Sequence, residues 1–124
     1  TGMHDPTEGG LASALWEFST ASGYALEIDP ERIPIPELSA KICKRFHLNP
    51  LNTIASGALL LSVEAQDSAK IIQALEKADI PCSKIGLVTD REEVSVSDIK
   101  NKNLLPWPEQ DDITKVFQHE NRLF

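Results

Sequence analysis

The sequence predicts an α/β (or α+β) domain, a mixed sheet with helices packed on it. Three observations carry this. Segments of helical and extended periodicity alternate in the order α-β-α-β-α-β-(β)-α. Glycine and proline punctuate them, at Gly23, Pro30, Pro50 and Pro81. The composition, 41% hydrophobic and 25% charged over 124 residues, suits a single domain, 1–124, with a real core.

Leu11, Ala14, Leu15 and Phe18 recur at i, i+3, i+4 and i+7, which predicts an amphipathic helix over 6–21. Asp5 fits its N-cap, Pro6 its first position, and Glu8 the third place of a capping box. Gly23 is a natural stop. Tyr24, Leu26 and Ile28 alternate with Ala25 and Glu27, a strand with one better-buried face. Asp29-Pro30-Glu31 turns the chain, and Pro34 and Pro36 hold Ile35 extended. Leu38, Ile42 and Phe46 repeat every four residues and predict a helix over about 36–47, with Lys41, Lys44 and Arg45 on other faces.

Pro50 ends that segment. The run Ala58-Leu59-Leu60-Leu61-Ser62-Val63 reads as a central strand buried on both faces. Gln66 to Ala78 reads as a helix with Ile71, Ile72, Leu75 and Ala78 inward, and Pro81 separates it from a strand at about 83–88. That strand–helix–strand unit predicts a right-handed crossover. Glu93 to Val96 suits a short edge strand. Residues 97–110 are polar and proline-flanked and read as a loop. A last helix over 111–122 takes Asp111 or Asp112 as cap and carries Ile113, Val116 and Phe117 on one face. There is no internal repeat.

The formal net charge of −7 argues against nucleic acid or an anionic membrane as the main partner. No stretch is long enough to cross a membrane and no signal-peptide pattern opens the chain, which favours the cytoplasm. Cys43 and Cys82 lack metal-ligand spacing and read as buried free thiols. There is no P-loop and no nucleophile elbow. His4, His47 and His119 show no i, i+4 pair, so no metal site is expected. Asp111-Asp112 with Glu109 reads as a helix cap rather than a cation site. His4 beside Asp5 is the one adjacent histidine–carboxylate pair, either a proton-transfer pair or a solvated loop histidine. Trp16 falls off the apolar stripe of its helix and suits a partner contact.

The most telling residues are Asp5-Pro6-Thr7-Glu8-Gly9-Gly10-Leu11. Two glycines in a first helical turn cost roughly 0.8–1 kcal/mol each relative to alanine. One compensation is close approach of another backbone. The other is an anion lying on bare amides at a helix N-terminus.

The run His4 to Leu15 resembles the opening of the C-terminal domain of the aminoimidazole ribonucleotide (AIR) synthetase superfamily. It is most similar to the hydrogenase expression/formation (carbamoyl dehydratase) and AIR synthase-related proteins. Later segments follow in the same order: Gly23 to Ile28, Ile33-Pro34-Ile35, Asn49-Pro50-Leu51, Thr53 to Leu60 and Ile85 to Val88. The resemblance covers about residues 3–90. It implies a three-layer α/β/α fold with a mixed sheet and partly ferredoxin-like topology. It further implies the C-terminal domain of an ATP- and Mg2+-dependent enzyme whose nucleotide site is built largely by an N-terminal domain, with a homodimer in full length. By that resemblance Asp5, Thr7, Gly9 and Gly10 contact nucleotide phosphate or small-molecule substrate, and His4, Ser56 and Gly57 lie near the interdomain cleft. Hydrogenase-maturation members carry arginine where Glu8 stands and end in cysteine. Asn121-Arg122-Leu123-Phe124 does not, so an AIR synthase-related protein of undefined substrate fits better. The alternative is a non-catalytic interaction or regulatory module that keeps the fold without the site.

Overall fold

The computed structural model describes residues 1–120. Its elements are β1 (Gly2–His4), α1 (Gly10–Ser22), β2 (Leu26–Ile28), a 3-10 turn (Pro30–Arg32), α2 (Glu37–Phe46), β3 (Leu60–Ser62), α3 (Ser68–Lys77), β4 (Gly86–Val88), β5 (Val96–Asp98) and α4 (Thr114–Glu120). The α/β class and the mixed sheet are as the sequence predicts. Residues 121–122 of the expected last helix lie outside the described residues.

The strands divide between two sheets. β4-β2-β5 form one, with β2 antiparallel to β4 and parallel to β5. β1 and β3 form an antiparallel ribbon, with Met3 opposite Leu61. The central strand is therefore β2, whose Leu26 and Ile28 are buried, and not the apolar run at 58–63. Leu59 in that run is exposed and Leu60 to Ser62 are half-buried. Because β3 and β4 lie in different sheets, the expected crossover does not form. β5 lies at the sheet edge but starts at Val96, so its end overlaps the expected 97–110 loop, in which Leu104 also bridges to Ser97.

The core is Leu15, Leu26, Ile28 and Val96, with Leu11, Trp16, Phe18, Ile33, Leu60, Ile85 and Leu105 packed around it. The predicted stripe of α1 thus faces the core. Ser19 is fully buried on the same helix. Its hydroxyl donates to Tyr24 O at 2.7 Å and accepts from Ser95 N–H at 3.1 Å, which ties α1 to the approach to β5.

α2 is the opposite case. Cys43 is its one buried residue, while Leu38, Ile42 and Phe46 are exposed. On α3 Ile71, Ile72 and Leu75 are half-buried, and Ala78, expected inward, is exposed. The chain exposes 8684 Å², against about 6,600 Å² for a compact monomer of this mass. A ten-residue helix is marginal in water without a packed face. The α2 stripe of Leu38, Ile42 and Phe46 is an apolar surface this fold leaves uncovered.

Candidate functional site

The segment from Asp5 to Gly10 links β1 to α1. α1 starts at Gly10, four residues later than the sequence predicts, and its N-cap is Gly9 with a φ of 76°. Asp5 is exposed and caps nothing among the described residues, and no acidic residue sits in the first turn. The expected capping box of Asp5 and Glu8 therefore does not form. Two consecutive left-handed glycines, Gly9 and Gly10 (φ 65°), are what stop the helix from beginning earlier.

Both glycines are fixed by the surrounding chain. A Cβ on Gly10 would lie 2.5 Å from the carbonyl oxygens of Leu51 and Thr53. A Cβ on Gly9 would collide with the buried Ser13 side chain. The Gly10 N–H donates to Thr7 O at 3.1 Å and the Ala12 N–H to Leu51 O at 2.8 Å. The Gly9 N–H donates to Asp111 Oδ2 at 2.8 Å, across 102 residues of sequence. The other oxygen, Oδ1, accepts from Ile113 N–H at 2.8 Å, so one buried carboxylate caps α1 and opens α4. The cap role expected of Asp111 is present, and it serves a second helix that no local pattern announces. Close backbone approach thus accounts for Gly10, and a remote carboxylate holds Gly9.

Thr7 and Glu8 differ from the glycines. Both are exposed, and among the described residues their amides have no hydrogen-bond partner. Thr7 O accepts from Gly10 N–H and, at 3.2 Å, from Ala55 N–H, which draws the 51–57 loop alongside. Ser56 and Gly57 are exposed in that loop, in a turn closed by Ala58 N–H donating to Ala55 O at 3.0 Å. Gly57 takes a φ of 95° there. The Ala55–Thr7 bond therefore sets the exposed Ser56–Gly57 turn next in chain to the residue that contacts the exposed Thr7–Glu8 segment.

His4 lies at the end of β1, opposite Leu60. Its Nε2 is 2.6 Å from Glu17 Oε2, so its carboxylate partner is on α1 and is not the adjacent Asp5. Trp16 also finds its partner inside the chain: it stacks on Trp107 with centroids 5.3 Å apart and planes 6° from parallel. Its Nε1–H donates to Leu105 O at 3.1 Å. The expected partner contact of Trp16 is thus an internal one.

Asp112 neighbours the site. Its Oδ2 accepts from Asn49 N–H at 2.8 Å and its Oδ1 pairs with Lys115 Nζ at 2.8 Å. Burial pushes this carboxyl upward, but the bonds from Lys115 and Asn49 outweigh it and hold the group below its usual range. Cys43 is buried, Cys82 is half-buried, and both are free. No group of three or more metal-ligating side chains occurs among the described residues. No helix among them is long and apolar enough to cross a membrane.

Known proteins resemble this chain in sequence and in fold. A Methanocaldococcus jannaschii protein named for hydrogenase expression/formation is 29% identical over 117 residues, 92% of this chain and 35% of its own length. The crystal structure of Escherichia coli HypE, a hydrogenase maturation protein, matches with a TM-score of 0.77 at 24% identity, over 94% of this chain and 38% of that one. A HypE structure in complex with ATP matches with a TM-score of 0.75 at 22% identity, over 88% of this chain and 36% of that one. The chain thus spans little more than a third of the length of each of these proteins. Residues 1–99 match the family described as AIR synthase related protein, C-terminal domain, and the chain belongs to that family.

Proposed function

We propose that this chain is the C-terminal domain of a cytoplasmic, ATP-dependent enzyme of the AIR synthetase type. Its part is to close an interdomain cleft over nucleotide phosphate or substrate with the Asp5–Gly10 turn. The observation that carries this reading is the exposed pair of amides at Thr7 and Glu8, without a partner among the described residues, beside the Thr7 hydroxyl. They stand on a backbone that Gly9, Gly10 and the 51–55 loop hold in place. Fixed donors at a helix N-terminus suit anionic oxygens, and they cost little reorganisation when charge develops. Gly9 and Gly10 then act through shape, and Thr7 through its donors. On this reading Asp5 joins Thr7 at the phosphate, and His4, Ser56 and Gly57 face the interdomain cleft.

The relative solved with ATP supports a nucleotide-linked role. Mg2+ would accompany the nucleotide, with its ligands on the N-terminal domain. In phosphoryl-transfer chemistry the contribution of such a domain is positioning and charge stabilisation. The full-length protein is read as a homodimer, its nearest partner surface being its own N-terminal domain.

A second reading, a non-catalytic interaction module, is favoured by two observations. Glu8 places a carboxylate beside the anion position, and α2 offers an uncovered stripe of Leu38, Ile42 and Phe46. Calorimetric titration of the full-length protein with a non-hydrolysable ATP analogue separates the two. Glu8→Arg replaces a repulsive charge by an attractive one. A charge-assisted hydrogen bond of about 1.5 kcal/mol corresponds to roughly tenfold tighter binding. Glu8 lies outside α1 and is exposed, so folding stability stays within about 0.5 kcal/mol. Unchanged affinity in a stably folded variant favours the interaction module.

A further inference from the structure

We propose that β4 is a self-association edge: two copies of this chain join their β4 strands antiparallel about a two-fold axis at Leu87 and make one continuous sheet. This edge is separate from the Asp5–Gly10 turn and does not depend on the reading given to it. The sheet order β4-β2-β5 leaves β4 on the outside. On the outer side of β5, Leu104 pairs with Ser97, whereas among the described residues no strand lies outside β4. Leu87 and Val88 are each 44% exposed. The strand Gly86-Leu87-Val88 holds no proline and no charge, the devices that usually blunt an open edge.

The register of the joint follows from the bonds inside the sheet. The Asp29 N–H donates to Ile85 O at 2.7 Å and the Thr89 N–H to Ala25 O at 2.9 Å. With Glu27 opposite Leu87, the backbone groups of Ile85, Leu87 and Thr89 turn towards β2, and those of Gly86 and Val88 turn away from it. An antiparallel second copy must meet these outward groups with its own. A two-fold axis at Leu87 sets Gly86 opposite Val88 of the second copy, and each such pair exchanges both of its backbone bonds. It also sets Lys84 opposite Asp90 on both sides of the axis. An axis at Gly86 would set Lys84 opposite Val88, and one at Val88 would set Asp90 opposite Gly86, so neither pairs these two charges. Lys84 and Asp90 are exposed, and neither forms an ion pair among the described residues. Opposite charges facing each other across two strands stabilise the pairing. The edge is thus complementary to itself in hydrogen bonding and in charge. A contact this short suits a weak, concentration-dependent dimer.

The test is sedimentation equilibrium of the 124-residue chain up to roughly millimolar concentration, where weak association is visible. Wild type, Lys84→Asp, Asp90→Lys and Val88→Pro are compared, together with an equimolar mixture of the two charge variants. Wild type is expected to dimerise. Each charge variant alone sets like charges opposite each other on both sides of the axis, and its self-association is expected to weaken at least about tenfold. The mixture restores opposite charges on both sides, so a mixed dimer of wild-type affinity is expected. Val88→Pro removes an N–H that points away from β2, which spares the β2 ladder and is expected to abolish the dimer. A wild type that stays monomeric overturns the proposal. So does association that is unchanged in the charge variants, or that is not restored in their mixture. If Val88→Pro fails to fold, the charge variants decide, because both substitutions lie at exposed positions outside the strand. A folded Val88→Pro that associates like wild type overturns the β4 joint.

Discussion

Gly10→Ala tests why the two glycines are there. At a φ of 65° an alanine adopts the left-handed conformation, which costs roughly 1–2 kcal/mol. Its Cβ would also stand 2.5 Å from Leu51 O and Thr53 O and 2.9 Å from Thr53 N, all backbone atoms. No side-chain rotation relieves that contact, so the 51–53 loop must move and the Ala12 N–H to Leu51 O bond is disturbed. Overpacking of this kind adds about 1–3 kcal/mol. The expected total, roughly 2–5 kcal/mol, is a large part of the stability of a small domain. Gly23→Ala is the control. Its φ of 77° is equally left-handed, but nothing among the described residues lies within 4 Å of an added Cβ, so the loss is about 1–2 kcal/mol. Urea denaturation of both variants measures the difference. With a slope of about 2 kcal/mol per molar, a gap of about 2 kcal/mol separates the midpoints by about 1 M. Equal losses would show that the 51–53 loop does not confine Gly10 and would refute the packing explanation.

Three further outcomes are expected. Trp16→Ala and Trp107→Ala, measured singly and together, should show a coupling of about 0.5–1.5 kcal/mol from the stacked rings; additive losses would mean that the stack contributes nothing beyond burial. Asp112 titrates below its ordinary value of 3.8 in the folded state, so its contribution is fully present above about pH 5 and is lost as pH falls through the lowered value. Asp112→Asn should therefore flatten the acid end of the stability curve, and an unchanged acid slope would show that Lys115 and Asn49 do not hold the carboxylate. The 124-residue chain by itself should not hydrolyse ATP at an enzymatic rate; turnover on the order of 1 per second or faster would place the whole nucleotide site on this domain and overturn the two-domain reading.

The local sequence was sufficient for what depends on neighbours along the chain. Residues three and four apart share a helix face, so the spacings of Leu11 to Phe18, Leu38 to Phe46 and Ile71 to Leu75 located three helices to within a few residues. Alternation marked β2, and the motif from His4 to Leu15 carried the family. The same periodicity could not say what covers a face. The stripe on α2 has the spacing of a buried one, yet it is bare in this fold. The Ala58–Val63 run has the composition of a central strand, yet among the described residues its Leu60–Ser62 part pairs with β1 alone, a three-residue strand without a signature of its own.

The site divides in the same way. The Gly9-Gly10 pair was visible as a helical cost in need of compensation, and the sequence left both compensations open. Which one acts at each glycine depends on Leu51, Thr53 and Asp111, the last 102 residues away. Trp16 found Trp107, and His4 preferred Glu17 to the adjacent Asp5, for the same reason. The sequence by itself determined where backbone hydrogen bonds close locally, because those bonds span three or four residues and leave a period in the chain. Only the tertiary structure decided the sheet partition, the start of α1 and the occupant of its N-terminus, because hydrogen bonds and stacks between distant residues leave no period to read.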